Sequence, residues 1–200
     1  MILSSSLQTY QIAKEDITCY KHLVISPNGE YKSCYYKHTW EPNVIYTSPL
    51  TKHQTYVHEG FHSYQTLKGA EDVWNKYMPV GTALVKCVIP KGACYYTGDY
   101  YERGDTYASD KLKMVEVIKT KGDIVNDSTF PYKIGDKIIL TDPDATDVIG
   151  IDTIYVIFKY QCQYYIWFSR ISKAWMEFLI VDENGIPIEK DLKLIKTKGE

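Results

Sequence analysis

The stretch Tyr56 to Gln65 reads YVHEGFHSYQ and contains His58-Glu59-Gly60-Phe61-His62. This matches H-E-x-x-H, a zinc-peptidase pattern. The pattern works on a helix. Positions i and i+4 then share a face, about 6 Å apart, so two imidazoles can hold one zinc while the glutamate activates its water. Val57, Phe61 and Tyr64 would form the apolar stripe of such a helix. Three features weigh against it. Gly60 sits at its centre, costing roughly 1 kcal/mol relative to alanine. A catalytic zinc needs a third protein ligand, yet no histidine follows His62 and Lys68 stands where an extended motif would put one. No acid occurs between Asp72 and Asp99 to supply a later glutamate ligand. The competing reading is an extended segment. His58 and His62 would then be about 13 Å apart at 3.3 Å per residue, too far for one metal. We therefore expect no metal here; His38 and His53 have no spacing that asks for one.

Other side chains carry two readings each. His62 is either a core histidine bonded to backbone or a functional group. Tyr95, Tyr96, Tyr100, Tyr101 and Tyr107 suit packing on a half-buried sheet, or, with Arg103 nearby, stacking against a base or sugar. Lys91-Gly92 is most simply a turn. The chain has no Walker loop, no G-x-S-x-G and no G-x-G-x-x-G.

The elements that must position these residues are mostly strands. ITCYKHLVI (Ile17 to Ile25) reads as a strand ended by the turn SPNGE, with YKSCYYKHTW as its return. EPNVIYTSPLT reads as loop. TLKGAEDVWNKYM predicts a helix with Thr66 as N-cap and Pro79 as its stop. TALVKCVIP, ACYYTG and LKMVEVIKT read as strands. The polar run KGDIVNDSTFP suggests a boundary, giving an α+β domain at 1–125 and a strand-dense domain at 131–200. DENG near the end is a hairpin-type turn.

Composition sets outer limits. With 200 residues the chain buries enough surface to fold without a metal or disulfide. A net charge of -2 gives no bulk attraction for nucleic acid. Five cysteines, an odd number with no C-x-x-C, argue for a reducing compartment. The N-terminus lacks a basic region and an apolar core, and no run reaches the length of a membrane span. A cytoplasmic location is expected. Nineteen tyrosines favour strand pairs and wet binding surfaces.

Three resemblances follow from these residues. CYKHL, EGFHSYQTLKGA and ALVKCVIPKGACYYTGDYYERGDTYASDKLKMVEVI together resemble a group of uncharacterised phage and gut-bacterial proteins. The shared features are G-F-H-x-[YF], I-P-K-G and Y-A-S-x-x-L-K, with Gly60-Phe61-His62 as the central unit. No activity comes with that resemblance. The same region is distantly similar to ADP-ribosyltransferase domains. In those, a Tyr-Arg strand holds the NAD pyrophosphate, a Ser-Thr-Ser strand follows, and an E-x-E loop stabilises the transition state. Here Tyr20-Lys21 stands for Tyr-Arg, His62-Ser63-Tyr64 for Ser-Thr-Ser, and YERGDTYAS, with Glu102 and Asp105, for the acidic loop. Lysine cannot make the bidentate contact of arginine. Finally, YKIGDKIIL and IEKDLKLI resemble the first and last strands of SH3-like barrels.

The expected protein is thus α+β, with an N-terminal domain of ADP-ribosyltransferase-like character and a C-terminal SH3-like barrel. It acts by binding a protein, small-molecule or nucleotide partner without a cofactor, and neither membrane nor nucleic acid is indicated. An ADP-ribosyltransferase-like nucleotide site is the second reading and a zinc peptidase the third. The candidate binding residues are Tyr20, Lys21, His62, Tyr64, Glu102, Arg103, Tyr107 and Ser109.

Overall fold

The computed structural model describes residues 10–34, 38–53, 56–99, 105–125, 129–141, 148–168, 178–188 and 193–196. The chain divides into two compact units. The first comprises Met1–Ile25, Glu30–Met78 and Thr82–Thr120; the second comprises Ser26–Gly29, Pro79–Gly81 and Lys121–Glu200.

In the first part of the chain the strands are β1 (Gln11–Ile12), β2 (Ile17–Ile25), β3 (Tyr31–Ser33), β4 (Thr39–Trp40), β5 (Ile45–Thr47), β6 (Lys52–His53), β7 (Tyr56–Val57) and β8 (Phe61–Tyr64). Helix α1 (Leu67–Tyr77) follows, then β9 (Thr82–Ile89), β10 (Cys94–Asp99), β11 (Asp105–Ser109) and β12 (Lys111–Lys121). One antiparallel sheet runs in the order β1-β10-β11-β8-β2-β9-β12-β5, with β3 and β4 attached through β2. Its spine is β2 against β9, paired from Ile17↔Ile89 to Val24↔Thr82. β-branched and aliphatic residues dominate that pair, and Leu23, Ala83, Leu84, Val85 and Ile89 are completely buried.

The helix forms where its signals predict. Thr66 Oγ1 accepts from Gly69 N–H at 3.1 Å, and the Met78 N–H closes the other end on the Trp74 carbonyl at 3.2 Å. Pro79 cannot continue it. Ala70, Val73 and Trp74 turn inward against Tyr64 and Leu84. The Trp74 indole N–H finds Thr82 Oγ1 at 3.1 Å. The helix thus covers one face of the sheet at β8, β2 and β9.

The second unit holds β13 (Asp123–Ile124), β14 (Lys137–Thr141), β15 (Val148–Tyr160), β16 (Gln163–Phe168), β17 (Phe178–Val181) and β18 (Lys193–Lys196). They form a sheet in the order β17-β16-β15-β14-β18, with β13 on β15. Its core includes Phe130, Ile138, Ile154, Tyr164, Ile166 and Val181, with the Phe130 and Tyr164 rings stacked 4.2 Å apart. The DENG turn is built by Asp182, whose Oδ1 accepts from the N–H groups of Asn184 and Ile186.

These findings correct the expected fold class. Strand accounts for 55% and helix for 8%, with a single helix among the described residues, so the protein is mostly β with large antiparallel sheets. The expected α+β N-terminal domain fails because segments read as loop pair as strands. Ile45–Thr47 adds to β12, and Asp105–Ser109 inserts between β10 and β8. Backbone pairing supplied by neighbours distant in sequence overrides weak local patterning. In the second unit β14 to β17 follow one another in the sheet and β18 pairs with β14, while the 13-residue β15 pairs with both β14 and β16. No helix among the described residues is long and apolar enough to cross a membrane.

Candidate functional site

The H-E-x-x-H residues do not share a helix. His58 follows β7 and is exposed, Glu59 and Gly60 form a bend, and His62 is buried within β8. Gly60 has φ +123°, and a Cβ there would meet Leu50 Cδ1 at 2.7 Å and the Ser109 carbonyl at 3.2 Å. Only glycine accommodates both the angle and the approach. Glu59 accepts from Thr51 Oγ1 at 2.5 Å. Among the described residues, no three metal-ligating side chains converge.

A different convergence appears across the strands. Tyr20 pairs with Tyr64, which sets Lys21 beside Ser63. Ser63 pairs with Tyr107, and Tyr107 with Thr97. Direct partners on antiparallel strands share a face. Lys21, Ser63, Tyr107 and Thr97 therefore form one row across β2, β8, β11 and β10, about 4.8 Å from strand to strand. This row lies on the sheet face opposite α1. Cys19 and Cys87 share that face and pair directly with each other.

The chemistry of the row centres on Lys21. Its ammonium donates to the His62 backbone carbonyl at 2.8 Å and lies 5.7 Å from the centre of the Trp40 ring. The residue keeps some surface, but the ammonium is enclosed, and burial pushes its pKa down. Among the described residues, ion pairs go to Lys32, Lys86 and Lys119, and Lys21 has no carboxylate. The Ser63 hydroxyl is fully buried, with the Cys19 sulfur as its polar neighbour. Burial pushes the Cys19 thiol up to about 11, with the Ser63 hydroxyl and the Lys21 ammonium pulling the other way. Burial also raises the Cys87 thiol strongly, so these sulfurs stay protonated. Trp40, His38, Tyr46 and Phe61 pack edge to face beside Lys21, with the Trp40 indole N–H held by Ser33 Oγ at 2.8 Å. Tyr107 sets its ring edge-on to Tyr95, 5.6 Å away.

The sequence-predicted residues split between the two faces. Lys21, Tyr107 and Ser109 share the face just described; Ser109 Oγ is committed to the Lys111 carbonyl at 2.9 Å. Tyr20, His62 and Tyr64 lie on the helix face. Tyr64 is core, with Tyr20 packed at its edge. His62 sits opposite Ala108, its Nδ1 has no partner among the described residues, and burial drives its pKa down to about 3. His22, on the same face, donates from Nε2 to the Ala70 carbonyl at 2.9 Å, and burial lowers it to about 4. Glu102 and Arg103 lie outside the described residues. Reading the sequence linearly missed Ser63, Cys19, Cys87 and Trp40. The one available signal was alternation: once His62 and Tyr64 face one way, Ser63 must face the other.

Comparison of the chain with family models, with curated proteins and with solved structures returns no match.

Proposed function

We propose that the face carrying Lys21, Ser63 and Tyr107 binds an anionic small molecule of nucleotide type. The observation that carries this reading is the enclosed Lys21 ammonium, which has one carbonyl acceptor and no carboxylate among the described residues. An ammonium has three donors, and burying it without a counter-charge is unfavourable. A phosphate group at that point supplies both charge and acceptors. Tyr107, two strands away and half-buried, offers a hydroxyl to a sugar and a ring to a base. The resemblance to ADP-ribosyltransferases supports the same placement, because its Tyr20-Lys21 strand lies next to its His62-Ser63-Tyr64 strand, and β11 lies next to that. The proposal is for binding rather than transfer. Lysine acts as a point charge in place of a bidentate arginine, and the sequence has no E-x-E. Free cysteines throughout suit a cytoplasmic setting.

Melting curves with NAD, ADP and ATP test the reading. A ligand at 100-fold excess over Kd adds about 2.7 kcal/mol to the native state, and a rise with concentration is expected for at least one of the three. Lys21→Met should abolish the rise while the unliganded protein melts at or above the parent temperature, because an unpaired buried charge has been removed. No rise with any of the three, or one that survives Lys21→Met, rules the proposal out.

A further inference from the structure

We propose that helix α1 is an acid-released element: its docking depends on a neutral His22 ring, and protonation of that ring drives the helix off the sheet. The helix packs through Ala70, Val73 and Trp74 on Tyr64 and Leu84. Three polar ties add to this packing. His22 Nε2 donates to the Ala70 carbonyl at 2.9 Å, the Trp74 indole N–H donates to Thr82 Oγ1 at 3.1 Å, and Glu71 pairs with Lys119 at 2.7 Å. The first joins a buried side chain of β2 to the helix backbone, inside the contact. An imidazolium there would be a buried charge without a counter-charge, which is strongly unfavourable. Moving the helix away lets water reach the ring.

The neighbours of His22 offer no free acid. On β9 it stands opposite Leu84, and Lys86 further along is held by Glu116 at 3.4 Å. On β8 the Tyr64 ring is 4.9 Å away. His62 stands two residues from Tyr64, as His22 stands two from Tyr20, so the Tyr20↔Tyr64 register sets both histidines on one face. On α1, Glu71 is taken by Lys119 of β12, while Lys68 and Asp72 are exposed. The Cys34 thiol meets the His22 backbone carbonyl at 3.7 Å. Lys21, next along β2, adds positive charge. In line with this setting, burial lowers the pKa of His22 to about 4, and Lys21 acts in the same sense. A base depressed in the docked form favours the open form as pH falls. Eleven residues are too few for the helix to persist off the sheet. Release therefore melts α1 and exposes Ala70, Val73 and Trp74, while the β2–β9 ladder stays paired.

Hydrogen exchange of the full chain between neutral pH and about pH 4 tests this, read peptide by peptide by mass spectrometry and corrected for the intrinsic pH dependence of exchange. A ring that titrates at about 4 when docked and near 6.5 when released makes the opening constant rise by at least about tenfold per pH unit between those values. Protection of α1 should fall by that factor, while peptides from β9 and β16 keep theirs within about twofold. His22→Gln retains an N–H for the Ala70 carbonyl and takes up no proton, so its α1 protection should stay flat across the range. In the parent protein, nuclear magnetic resonance should show the His22 ring titrating at about pH 4, a reading that needs no variant to fold. Any of three results would overturn the proposal: α1 and β9 losing protection in parallel, His22→Gln still opening at α1 with acid, or a parent His22 ring that titrates near 6.5 with α1 still protected.

Discussion

Individual buried side chains in this domain are set by what surrounds them rather than by their type. His22 and His62 show this on the helix face. Each is neutral in the native state, with burial as the main cause and the Lys21 charge adding to it. Unfolded, each would titrate near 6.5. Their native pKa values, about 4 and about 3, are depressed, so the unfolded chain binds more protons between those values and 6.5. Stability is then complete above pH 6.5 and is lost as pH falls toward 4 and 3. At about 1.4 kcal/mol per unit, the two together are worth on the order of several kcal/mol. Urea titrations across this window should show the midpoint falling steeply. His62→Met should flatten that fall, because the Nδ1 of His62 contributes no hydrogen bond within the described residues. An acid limb unchanged in His62→Met would mean that His62 already titrates normally.

At the scale of elements, the register of β8 decides which side chains meet the row and which meet the helix. Two devices hold that strand. Gly60 enters it at φ +123° with Leu50 and the Ser109 carbonyl against its α-carbon. Thr66 leaves it by capping α1. Gly60→Ala should cost about 1 to 3 kcal/mol through the forced backbone angle and the Leu50 clash. Thr66→Ala should cost about 1 kcal/mol, the usual worth of an N-cap side chain. Chemical denaturation measures both. If Gly60→Ala costs less than Thr66→Ala, the tight approach at Gly60 is not what fixes the strand.

The whole molecule is two compact units, and the second draws on short segments from earlier in the chain. Gly81, at φ +87°, belongs to it; a Cβ there would run into the Phe158 ring, and its N–H donates to the Lys121 carbonyl at 2.6 Å. A fragment covering 121–200 lacks this segment. It should still show a β spectrum without helical signal, since α1 lies in the first unit, but it should melt well below the full chain. Circular dichroism with heating checks both. A fragment as stable as the intact chain would show that Pro79–Gly81 contributes nothing.

Some features needed only the sequence. Thr66, Pro79 and the spacing of Ala70 and Trp74 specify the helix, because capping and periodicity act over a few residues. Ile17 to Ile25 and the strand ending at Ile89 were legible from β-branched content, and DENG from its turn chemistry. Gly60 already spoke against an H-E-x-x-H helix. Strand identity at Ile45–Thr47 and Asp105–Ser109 was not legible, because those residues gain their hydrogen bonds from partners far along the chain. The site depended on the same long-range information. Lys21 could be picked out in the sequence, but Ser63 was hidden between two more conspicuous neighbours. Only the pairing of Tyr20 with Tyr64 and of Ser63 with Tyr107 puts them in one row. A shift of one residue in that register would turn every β8 side chain to the opposite face, which is why the tertiary structure decided the site.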